Sequence, residues 1–68
     1  MKRVTKADIL GIRPGETKTF FLDSAKAVVS ARQYAYFLGR VEPRNGVAKY
    51  SVSADFTNHS VVITAKPL

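Results

Sequence analysis

One stretch limits what this chain can fold into more than any other. DSAKAVVSARQYAYFLGRV, from Asp23 to Val41, is alone long and periodic enough for an extended helix. At about 100° per residue, Val28, Ala31, Ala35 and Leu38 fall in one stripe about 80° wide, while Lys26, Ser30, Gln33 and Arg40 collect on the other side. Phe37 breaks the pattern by projecting from the polar side. A helix with one apolar stripe needs a cover of matching size, and the flanking segments have to supply it.

They read as strands. Thr17 to Leu22, TKTFFL, is β-branched and aromatic, and Phe20 with Leu22 is favoured over Phe21 as the inward set. Asp23 or Ser24 is expected to cap the helix, Gly39 to stop it, and Pro43 to forbid a regular helix beyond Glu42. After an Asn45-Gly46 turn signal, Ala48, Tyr50, Val52, Ala54 and Phe56 alternate with Lys49, Ser51, Ser53 and Asp55, so the first set should face the helix. Thr57 to Ser60 are polar turn formers, and Val61 to Lys66 supply a third strand with Val61, Ile63 and Ala65 inward. The expected fold is α+β, β-α-β-β, with a three-stranded antiparallel sheet in the order 1-3-2 and the helix packed on one face.

Residues 1–68 make one small domain with a basic N-terminal arm over about residues 1–8. Thr5 and Asp8 have the spacing of a capping box, which predicts a single helical turn from Lys6 to Leu10. Arg13-Pro14-Gly15-Glu16 has the residues of a type II turn. Ile9, Leu10 and Ile12 are expected to tether this segment, leaving Met1 to Arg3 loose.

The chain has no Cys and a single His, which excludes a disulfide framework and a thiolate metal site. Paired acids, phosphate-cradling glycine motifs and nucleophile elbows are absent too, so no enzyme and no cofactor is expected. His59, in the second turn, reads as an exposed turn residue; general acid work on a phosphodiester is the distant alternative. No apolar run reaches a membrane span and no secretion signal is visible, so no membrane partner and a cytoplasmic location are expected. Eleven Lys and Arg against five Asp and Glu leave a net charge of +6, a field that attracts polyanions, although charge also serves solubility.

Three surfaces are candidates for binding nucleic acid. The sheet face turned away from the helix offers Thr19, Phe21, Lys49, Ser51, Ser53, Thr64 and Lys66, in which hydroxyls and lysines meet phosphates and an open ring stacks on a base. Lys2, Arg3, Lys6, Arg13 and Arg44, with Lys18, form a basic set on the arm and loops. The outer helix side, with Lys26, Gln33, Phe37 and Arg40, is a second candidate face. Its plain alternative is that Phe37 packs under the arm against Ile9, Leu10 or Ile12. A solvated antiparallel face is likewise the plain alternative for the sheet.

The segments KADILGIRPGETKTFFL, SARQYAYFLGR and YSVSADF make the chain similar to small basic proteins of bacterial mobile elements and phages, a resemblance that carries no established activity. A three-stranded sheet with one helix is also similar to the DNA-binding domains of some integrases and of the plant AP2 type, whose helix follows all three strands instead of the first. The expectation is a non-enzymatic nucleic-acid-binding protein, DNA ahead of RNA. Self-association is expected with that function, since Phe21 and Val62 form a patch that suits a homodimer. The competing expectation is a phage or mobile-element accessory module that binds a host protein through the sheet edge or the same patch.

Overall fold

The computed structural model describes residues 3–41 and 46–68. The elements are α1 (Lys6–Leu10), β1 (Thr17–Phe21), α2 (Ala25–Val41), β2 (Val47–Asp55) and β3 (Ser60–Pro67). The strands form one antiparallel sheet in the expected order β1-β3-β2, the one that makes every pairing antiparallel.

Local chemistry explains where each element begins. Thr5 caps α1: its hydroxyl accepts from the Asp8 backbone N–H at 3.2 Å, and the Asp8 carboxylate accepts from the Thr5 N–H at 2.9 Å. Pro14 and Gly15 make the type II turn, with the Glu16 N–H donating to the Arg13 carbonyl at 2.9 Å and Gly15 at φ +85°, a conformation only glycine adopts freely. Ser24 rather than Asp23 caps α2, its hydroxyl accepting from the Ala27 N–H at 3.2 Å. The hairpin between β2 and β3 is held by Asp55, which accepts from the backbone N–H groups of Thr57 and Asn58 and from the Asn58 side chain.

The core lies between α2 and the sheet. Val28, Ala31, Ala35 and Leu38 meet Phe20, Leu22, Tyr50, Val61, Ile63 and Ala65, and the N-terminal segment adds Val4, Ile9 and Ile12. Docking of that segment therefore begins at Val4 rather than at Ile9. α2 packs chiefly on β2, on the same side of the sheet as this core.

Three expectations need correction. Gly39 does not end the helix, which runs on to Val41; it is a contact residue, since a Cβ there would lie 3.3 Å from both Cδ2 and the backbone N of Tyr50. Ala48 is exposed and Val47 is buried in its place, because the ladder steps from Val47 opposite Pro67 to Lys49 opposite Lys66 and leaves Ala48 as the extra residue of a β-bulge. Phe56 is 45% exposed, because the Asp55 turn takes the chain out of the sheet one residue before the alternation would bury that ring.

Candidate nucleic-acid interface

The register assembles the open sheet face in rows. Thr17, Thr64 and Ser51 form one row across β1, β3 and β2; Thr19, Val62 and Ser53 form the next; Phe21, Ser60 and Asp55 form the row nearest the hairpin. Within the first row the hydroxyls of Thr17 and Thr64 are hydrogen-bonded at 2.9 Å, a cross-strand pair that ties β1 to β3. At the other end of the face Lys49 stands directly opposite Lys66. Phe21 is 66% exposed, and Val62, its diagonal neighbour, is half-buried.

Strand direction sorts the charges lengthwise. β1 starts, α2 ends, β2 starts and β3 ends at one end of the sheet, here called the Pro14 end. Arg13 is fixed there because its turn is stitched to β3: the Gly15 N–H donates to the Ala65 carbonyl at 2.7 Å and the Ala65 N–H to the Glu16 carbonyl at 3.0 Å. Arg40, in the last turn of α2, arrives at the same end and faces Lys49 and Ser51 across a groove of about 410 Å³ that Tyr36 also lines. Arg13, Arg40, Lys49 and Lys66 are thus gathered by four different elements, with Glu16 beside them accepting the Arg13 backbone N–H at 3.2 Å. Asp23, Lys26 and Asp55 lie at the hairpin end. There, hydrogen bonds from the Asn58 side chain and from backbone N–H groups hold the Asp55 carboxyl below the ordinary carboxylate value.

The second candidate face does not act as one patch. Lys26 and Arg40 share a side of α2, yet fourteen residues at about 1.5 Å each put them about 21 Å apart along the axis. Phe37 lies in between, 48% exposed, with its ring near-parallel to that of Tyr34 at 6.5 Å between centroids. Phe37 is therefore left half-exposed by the described residues of the arm rather than packed under Ile9, Leu10 or Ile12. It lines a groove of about 570 Å³ whose opposite wall is Arg3 to Lys6. That wall is set by the Thr5 cap, where the backbone N–H of Thr5, followed by its hydroxyl, bonds to Asp8 and lowers that carboxyl below its ordinary value.

Of the residues singled out in the sequence, Lys49, Ser51, Ser53, Thr64, Lys66, Thr19 and Phe21 do share the open face, and Arg13 joins its basic end. Arg3 and Lys6 belong to the helix side instead. Lys18 has the helix-side parity of β1, where its charge helps lower the Asp8 carboxyl. Lys2 and Arg44 lie outside the described residues. One aromatic residue was missed, Tyr34, for which the i, i+3 spacing with Phe37 was the available signal. His59 is half-buried at φ 51°, and its carbonyl accepts from the Leu22 N–H at 2.7 Å, a structural role in the hairpin.

Among the described residues no helix is long and apolar enough to cross a membrane. Comparison with protein-family models, with curated proteins and with solved structures gives no match.

Proposed function

We propose that this chain is a small non-enzymatic nucleic-acid-binding protein, DNA ahead of RNA, that lays the open face of its sheet and the Pro14 end against the phosphate backbone. The observation that carries this reading is the pairing of Lys49 with Lys66. Like charges directly opposite each other weaken an antiparallel ladder, and a phosphate placed between them turns that repulsion into attraction. Arg13 and Arg40 extend the cationic end, the Thr and Ser rows supply hydrogen-bonding groups beside it, and Phe21 supplies a ring at the far end.

The test is titration of labelled duplex DNA, single-stranded DNA and RNA at about 50 and 200 mM salt. With four phosphates neutralised, affinity should fall about a hundredfold across that interval, and Lys49→Ala with Lys66→Ala should lower the log–log salt slope by about 2. Binding to none of the three, or binding indifferent to salt, overturns the reading. A host-protein module is the second reading, favoured by the exposed Phe21 beside its diagonal neighbour Val62 near the hairpin. Retention of a protein from nuclease-treated bacterial lysate, lost with Phe21→Ser and kept with Lys49→Ala, would select it.

A further inference from the structure

The groove between α2 and the N-terminal segment has no part in the sheet-face reading, and its chemistry is different. Its floor is aromatic, since Tyr34 packs against the core and holds the half-exposed ring of Phe37 near-parallel to its own. Gln33, exposed at the rim, carries an amide with both donors and an acceptor. The facing wall brings in Arg3 and Lys6, and no acidic residue is among the described residues that line the groove. The volume, about 570 Å³, lies within the range of about 300–1,000 Å³ typical of small-ligand sites.

Each part is anchored. Val4 is buried and Thr5 is locked into the cap of α1, so Arg3 and Lys6 flank two fixed positions. Ser30, Gln33, Tyr34 and Phe37 follow i, i+3, i+4, i+7 along α2, which makes them one continuous strip of the helix. A flat π-face, an adaptable amide beside it and two cations across from it match one ligand chemistry: a nucleotide whose base is unpaired, the base lying on Phe37 and the phosphate drawn to Arg3 and Lys6. A base inside a duplex has both faces stacked on its neighbours and cannot enter.

We infer that this groove is a nucleotide subsite, which takes an unpaired base either from a single strand or from a free nucleotide. The inference rests on the proposed affinity for nucleic acid but assigns a place on a flank of α2, away from the open sheet face. The experiment is amide-resolved NMR titration of the whole chain with three probes: a short single-stranded oligothymidylate, thymidine monophosphate, and a blunt duplex. The single strand is expected to shift the amides of Gln33, Tyr34, Phe37 and Lys6. Phe37→Ala should weaken its binding about five- to a hundredfold, whereas Phe37→Trp retains it. Shifts at these amides with the monophosphate as well identify a free-nucleotide site, and shifts with the single strand alone identify a strand site. Shifts confined to the Lys49, Thr64 and Lys66 amides leave the sheet-face reading standing and overturn the subsite. So does a Phe37→Ala protein that binds the single strand as tightly as the parent.

Discussion

At Gly39 a residue that reads as a helix stop is instead the point where α2 comes nearest to β2. The missing side chain lets Tyr50 lie against the helix backbone, and one of the two atoms a Cβ would crowd is the Tyr50 backbone N, which the ladder keeps in place. Gly39→Ala gains about 1 kcal/mol of helix propensity and loses about 1–3 kcal/mol to overpacking. The expected balance is destabilising by about 1 kcal/mol, which lowers the thermal midpoint by about 4–8 °C. A rise in the midpoint would show that the Tyr50 ring and strand yield freely. The sequence could not reveal this role, because a glycine near the end of a helical pattern carries the same signature whether it caps or packs.

At the scale of elements, α2, β2 and β3 were legible from their periods, about 3.6 residues along the buried stripe of α2 and two residues in β3 and in β2 from Tyr50 on. β1 was legible from its β-branched and aromatic content, and the strand order from the need to pair every strand antiparallel. What was not legible was decided by single residues at element ends. The bulge at Ala48 puts Val47, the first residue of β2, on the buried side, and the Asp55 turn takes Phe56 out of the sheet; neither changes the period elsewhere. The candidate site divided in the same way. Alternation put Lys49, Ser51, Thr64 and Lys66 on one face, but the nearness of Arg40 to Lys49 depends on how α2 crosses β2 and leaves no periodic trace. The ladder itself gives a prediction. Lys49→Glu replaces a like-charge pair by an opposite one and should add about 0.2–1 kcal/mol, raising the thermal midpoint by a few degrees, while nucleic-acid affinity falls. A midpoint that drops instead would mean that Lys49 and Lys66 already avoid each other and that the pair carries no strain for an anion to relieve.

For the whole molecule, acid is the informative variable. The carboxyls of Asp8 and Asp55 titrate below the ordinary value of 3.8 in the folded chain, the first through the Thr5 hydrogen bonds and the second through those from Asn58. The unfolded chain therefore takes up these protons first. Their contribution to stability is complete above about pH 5 and is lost as pH falls through 3.8 and the lower folded values. Over the same interval the net charge climbs above +6, so self-repulsion adds to the loss. Thermal midpoints measured from pH 5 down to 2 should fall steadily, and the fall should be shallower in a protein carrying Asp8→Ala and Asp55→Ala. An equal slope in both proteins would assign acid sensitivity to repulsion alone.

The bulge at Ala48 has a further consequence, for how copies of the chain behave in a crowded solution. β2 is an edge strand, and a regular edge is a template on which another molecule can extend the sheet. An extra residue followed at once by a lysine interrupts the free row of N–H and C=O groups at the start of that edge, so an approaching strand finds no continuous register. The same few residues that give the sheet its cationic end thereby guard it against aggregation.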